Sequence, residues 1–219
     1  MNRSLCLSAI LFSFLAATAA HATLIDFTAT NSPEVTAGGI TATATSNGTL
    51  TWTDFDGNGG AYPCANPELL ACNNDGIGVG DDEITYGVNL GSEYVRVSFS
   101  ALVNVTAIHL FDLFGAGDDG TNSAEVAMFD FLRGNGTLIS TGSRTGTAAP
   151  GTLSGYRAWN GNVSGVGSIV FYTSRVTNSD FALAGIGIEV TSVPEPATLA
   201  LLGSGLLGLG AMGRRRKKT

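Results

Sequence analysis

Between residues 23 and 191 the apolar positions fall in short runs, and no stretch holds the 3.6-residue period of a helix. Alternation is clearest in Tyr94-Val95-Arg96-Val97-Ser98-Phe99, where Val95, Val97 and Phe99 share one face and polar residues take most of the other. Runs of this kind predict strands at Leu24–Ala29, Ile40–Thr45, Thr49–Thr53, Glu83–Val88, Tyr94–Ser100, Val105–Leu113 and Ala124–Leu132. Further strands are predicted at Thr137–Thr141, Tyr156–Trp159, Ser168–Ser174 and Phe181–Val190. Gly, Asn, Asp and Ser separate them, the residues that let a chain turn. Many short strands at turn-rich spacing predict an all-β fold, an antiparallel two-sheet β-sandwich of jelly-roll-like type. The first and last strands are expected to pair and bring the ends of the domain together. A β-helix is the alternative, but no repeat of fixed period runs through the sequence.

Two longer apolar segments flank this middle. Met1–Ala22 has Arg3 at its start, an apolar run over Leu5–Ala17, and small residues at Ala20 and Ala22 around His21. That is the layout of a secretory signal, which predicts cleavage by signal peptidase after Ala22 and loss of Cys6 with it. At the other end, Val193-Pro194-Glu195-Pro196 precedes an uncharged stretch over Ala197–Gly213 and the basic cluster Arg214-Arg215-Arg216-Lys217-Lys218. Seventeen residues of helix span about 26 Å, close to a hydrocarbon core of roughly 30 Å. A C-terminal transmembrane helix is therefore expected, with the basic end on the cytoplasmic side. The chain thus divides into a signal peptide (1–22), an extracytoplasmic domain (23–192) and a tail (193–219).

This tail, with its Pro-Glu-Pro motif at Pro194, Glu195 and Pro196, a Gly- and Leu-rich helix and an Arg-rich end, resembles the PEP-CTERM sorting tail of Gram-negative bacteria. Tails of this kind also go by the name of an ice-binding protein C-terminal domain, a label silent about the domain that precedes them. The resemblance implies an exosortase, a membrane cysteine transpeptidase, as a partner that recognises the motif and cuts near it. It also implies an inner-membrane anchored precursor that later reaches the outer surface or extracellular matrix, in company with exopolysaccharide and biofilm. The three motif residues would then be a substrate sequence. Proline fixes φ and blocks helix and sheet pairing, which keeps such a segment extended for a protease groove.

Charge sharpens the picture of the middle. Residues 23–194 hold five arginines, no lysine and seventeen carboxylates, a net of −12. Neutralising phosphates needs the opposite sign, so no nucleic-acid partner is expected. Asp54, Asp56 and Asn58 place oxygen side chains at every second position ahead of Gly59, a spacing that lets them converge on one cation. An EF-hand is excluded because Ala65 stands where its bidentate carboxylate belongs. Asp75, Asp81 and Asp82 form a second acidic group, and Asp118 and Asp119 a third. Hard oxygen donors without His or Cys thiolate select calcium over zinc or copper. A plain solvated turn rich in Asp, Asn and Gly reads equally well. Cys64 and Cys72, the only cysteines after residue 22, are expected to form one disulfide.

Catalytic signals are poor: there is no nucleophile elbow, no His-based zinc motif and no phosphate-cradling loop. Trp52, Tyr62, Tyr86, Trp159 and Tyr172 are candidate sugar-stacking rings, or core and strand-pair residues. Thr41, Thr43 and Thr45 with Thr49, Thr51 and Thr53 line strand faces, as in ice-binding arrays, although threonine is also an ordinary strand former. His109 lies mid-strand and reads as a structural or surface residue. The expected function is a non-catalytic accessory or binding role at the cell surface, with polysaccharide as the ligand class. The alternatives are a secreted polysaccharide-acting enzyme and a purely structural matrix protein.

Overall fold

The computed structural model describes residues 22–52, 69–80, 83–87, 91–116, 123–147, 155–174 and 179–190. All belong to one compact unit, His21–Thr191. The signal segment, the helix expected over 197–213 and the Pro-Glu-Pro motif lie outside them. Among the described residues no helix is long and apolar enough to cross a membrane.

The strands are β1 (Ala22–Asp26), β2 (Glu34–Ala37), β3 (Ile40–Ser46), β4 (Leu50–Thr51), β5 (Gly78–Val79), β6 (Tyr86–Gly87) and β7 (Gly91–Ser92). They continue with β8 (Tyr94–Phe111), β9 (Val126–Leu132), β10 (Leu138–Thr145), β11 (Arg157–Thr173) and β12 (Ala182–Val190). One eight-stranded sheet carries the order β1-β12-β8-β11-β9-β10, with β3 joined to β8 and β2 to β3. Two small two-stranded pairings, β4 with β5 and β6 with β7, complete it. Every pairing is antiparallel. The all-β antiparallel expectation holds, and the first and last strands pair as expected, with Ala22 opposite Glu189 and Asp26 opposite Gly185.

Two pairs of predicted strands are single long strands. Tyr94–Ser100 and Val105–Leu113 merge into the 18-residue β8, while Tyr156–Trp159 and Ser168–Ser174 merge into the 17-residue β11. The glycines and asparagines of 160–167 look like a turn in the sequence, but the sheet absorbs them as bulges. An extra residue bends its strand without ending it. The largest irregularity lies where Ser98 and Val103 pair with Ser168 and Val166, so that Phe99–Leu102 stand opposite Gly167 alone. On one side of this corner β8 pairs with β3, and on the other it pairs with β12. A second shift in β8 leaves Thr106 without an opposite residue in β12. It moves the inward face from Val103 and Val105 to Ile108 and Leu110, because an inserted residue flips the two-residue period.

The inward residues form one main core. Val95, Val97, Phe129, Phe131, Ile169 and Phe171 come from one end of the sheet, and Ile25, Ile108, Leu110, Ile186 and Ile188 from the other. A smaller cluster of Leu70, Phe111, Ala182 and Ala184 covers the outer face at the second end. It is roofed by the segment 69–76, which Asp26 holds down. The Asp26 carboxylate accepts from the Thr28 amide at 2.8 Å and the Thr28 hydroxyl at 2.6 Å through Oδ1, and from the Ala71 amide at 2.7 Å through Oδ2.

Candidate functional site

The acidic loops read from the sequence fall largely outside the described residues: Asp54, Asp56, Asn58, Asp81, Asp82, Asp118 and Asp119 all do, as do Cys64 and Tyr62. Asp75 is described and half-buried. Its neighbours are occupied with the fold. Asn74 Oδ1 accepts from the Gly76 amide at 2.8 Å, Asn74 Nδ2 donates to Asn31 Oδ1 at 2.8 Å, and Asn73 Nδ2 donates to the Ala29 carbonyl at 3.2 Å. The first closes an Asx turn, and the other two tie residues 73 and 74 to the segment 29–31. Among the described residues, no group of three or more His, Cys, Asp or Glu is placed to hold a metal ion.

The candidate rings separate cleanly. Trp159 packs against Phe129 and Phe131, at centroid distances of 5.7 and 5.2 Å, and belongs with the core. Trp52 is a half-buried neighbour of the same core. Tyr172 donates to Asp130 Oδ1 at 3.3 Å, and burial together with that carboxylate raises its hydroxyl above the ordinary tyrosine range. Tyr86 is half-buried in the short β6.

His109 is 6% exposed and meets the Tyr156 hydroxyl at 2.8 Å through Nδ1, with the rings stacked at 6.0 Å. Burial lowers its pKa from 6.5, and the nearby Asp26 carboxylate opposes part of that shift. An unfolded imidazole gains its proton near 6.5 and the folded one only at lower pH, so the unfolded state binds more protons between those values. Stability is therefore expected to be level above about pH 7 and to fall as the pH drops below about 6.5. Thermal midpoints at half-unit steps from pH 8 to 5 check this. His109→Gln should flatten the upper part of that fall, and an unchanged slope would refute the assignment.

What the strand pattern did not reveal is where the scarce cations go. Four of the five arginines of 23–194 line two clefts, two in each. One cleft, of about 550 Å³, is lined by Ser143, Arg144, Thr145, Thr147, Tyr156, Arg157 and Ala158. There the arginines bridge β10 and β11, with Arg144 Nε donating to the Ala158 carbonyl at 2.7 Å and Arg157 Nε to the Thr145 carbonyl at 3.2 Å. They join backbone that no ladder pairs, so this pair has a structural task.

The other cleft, of about 420 Å³, sits at the corner of the sheet. Phe99–Leu102 form one wall, the turn after β9 with Arg133, Gly134 and Gly136 forms another, and Arg96, Ser98, Gly167 and Ser168 complete it. The turn closes with Arg133 N donating to the Thr137 carbonyl and Gly136 N to the Arg133 carbonyl, both at 2.9 Å. Gly167 permits the walls to meet, since a Cβ there would lie 2.6 Å from Gly134 Cα. Arg96 and Arg133 are exposed, and among the described residues neither guanidinium makes a hydrogen bond or ion pair. The threonine row of β3 lies alongside, with Thr43 opposite Ser98 and Thr45 opposite Arg96. Among the described residues no carboxylate lines either cleft. Sequence reading passed over these arginines because residues 37 positions apart meet only through the sheet's corner.

Comparison with known proteins adds one assignment. The model of the PEP-CTERM protein-sorting motif matches residues 192–217, in agreement with the resemblance read from the tail. The chain is therefore exported, recognised by an exosortase and processed at the membrane. The sequence has no match among curated proteins. One similar solved structure is the enzymatically active domain of tailspike protein 4 of bacteriophage CBA120, at 10% identity and a TM-score of 0.30. The match takes in 68% of this chain and 18% of that one.

Proposed function

We propose that the chain is a non-catalytic cell-surface or extracellular-matrix protein of a Gram-negative bacterium, with an accessory binding role in exopolysaccharide or biofilm. The observation that carries this reading is a sorting motif placed directly behind a β domain whose surface holds polar, cation-lined clefts. In this reading the bent sheet is a jelly-roll-like sandwich, its two layers joined through the long strands β8 and β11. One core drawn from both ends of the sheet supports that arrangement. Cys72 pairs with Cys64 in this reading, which the disulfide-bonded state of Cys72 supports.

The sorting step is testable in a host that carries an exosortase. The unaltered chain is expected in the surface or medium fraction, shortened near residue 195. Replacing Pro194, Glu195 and Pro196 together with alanine should leave most of it in the inner-membrane fraction, without its signal segment but uncut at the tail. Equal distribution of the two chains would overturn the reading. Incubation of the purified protein with surface polymer is expected to bind it without releasing sugar, and sugar release would instead make it an enzyme.

A further inference from the structure

We propose that the corner cleft between Arg96 and Arg133 binds an acidic polysaccharide through the carboxylates of its uronic acid residues. The inference rests on the accessory role proposed above and names its ligand class and site.

The first argument is electrostatic. The domain carries a net charge of −12, yet among the described residues neither Arg96 nor Arg133, both exposed, pairs with a carboxylate. Asp130, the outward carboxylate of neighbouring β9, accepts from Thr141 at 2.6 Å and from Tyr172, and it does not line the cleft. Two guanidiniums thus face one cleft with their donor forks available, and a guanidinium fork matches a carboxylate in geometry. The overall negative charge disfavours a duplex nucleic acid, which carries one phosphate per about 1.7 Å of its axis.

The second argument is the rest of the lining. Leu102 is 51% exposed and Phe99 half-buried beside it, which gives the cleft an apolar ledge next to the hydroxyls of Ser98, Ser100 and Ser168. A pyranose has the same division, with C–H groups on its faces and hydroxyls at its rim. About 420 Å³ falls within the size range of small-molecule sites and takes one or two sugar rings. The hydroxyl row of Thr41, Thr43 and Thr45 continues the polar surface away from Arg96, so a polymer can run on past the cleft. An acidic peptide would satisfy the arginines but gives no use to that row.

The experiment uses the full exported chain in a neutral detergent, with polygalacturonate oligomers as the probe and the same oligomers reduced to the neutral sugar as control. Binding to polygalacturonate at low salt is expected, with at least tenfold weaker binding to the neutral control. Arg96→Gln with Arg133→Gln should reduce the affinity at least tenfold while leaving the thermal midpoint in place, because among the described residues neither side chain makes a hydrogen bond or ion pair. Arg144→Gln, in the other cleft, should leave affinity unchanged. Equal binding by the double variant overturns the cleft and leaves the accessory role standing. Failure of the unaltered chain to bind either polymer overturns both. Polyglutamate bound as tightly as polygalacturonate overturns the glycan in favour of an acidic peptide.

Discussion

Replacing Phe129 with alanine is expected to destabilise the domain by about 3–5 kcal/mol, as removal of a fully buried phenylalanine does. Phe129 has no exposed surface and sits among Phe131, Trp159 and Phe171, at centroid distances of 5.7, 5.7 and 6.2 Å. Its ring also lies over Gly142, its partner on β10, where a Cβ would come within 2.2 Å of the ring. The aromatic fills the space that the glycine leaves empty, so alanine opens a cavity bounded by strands that cannot close over it. For a domain of this size the midpoint should fall by roughly 6–20 °C. Phe129→Leu keeps most of the volume and should cost less than half as much. Denaturant unfolding of all three proteins checks the ranking, and a loss under about 1 kcal/mol for alanine would mean that this end of the core is loosely packed.

Gly76→Ala is expected to be as damaging by another route. Gly76 has φ of +112°, and a Cβ there would stand 2.2 Å from the Leu183 carbonyl oxygen and 2.9 Å from Ala184 Cα. Those atoms belong to β12, and the next residue makes two hydrogen bonds with it, Ile77 N to Leu183 O at 2.9 Å and Leu183 N to Ile77 O at 3.0 Å. Backbone on both sides must move to admit a methyl group, which separates the segment 70–80 from β12 and exposes the cluster around Leu70. Strain, two broken hydrogen bonds and lost burial together are of order 3–5 kcal/mol. Gly39→Ala is the control: φ there is +78°, but no atom lies within 4 Å, so the cost should be near 1 kcal/mol. Hydrogen exchange at Ile77 and Leu183 should accelerate in the first variant alone, and equal protection in both would show that the bridge tolerates the side chain.

Much of the fold was legible because alternation survives wherever one face is buried. Val95 and Val97, Phe129 and Phe131, and Ile186 and Ile188 all lie inward as their spacing predicts. The joins were not legible. Gly161, Gly165 and Gly167 carry the signature of turns, and only pairing with β8 shows that the strand runs through them. The short strand Glu34–Ala37 escaped notice because half its residues are polar and it pairs only with β3. Of the candidate site, the tail motif was readable since its order is local, and residues 192–217 match it. Trp159 reads from sequence as a core or strand-pair residue ahead of a ligand platform, and packing against Phe131 places it with the core. The clefts were invisible because the arginines of each come from different elements, and no local pattern marks residues that the sheet brings together.

The position of β12 has a mechanical consequence. The strand lies between β1 and β8, bonded on both sides, and its last residue, Val190, stands at the end of the domain from which the tail departs. Tension entering through that end and directed along the strand would load the hydrogen bonds of both ladders side by side. Bonds loaded together resist far more than bonds peeled one at a time. On the surface role proposed above, a domain held through this strand would meet flow and drag with both of its ladders loaded together.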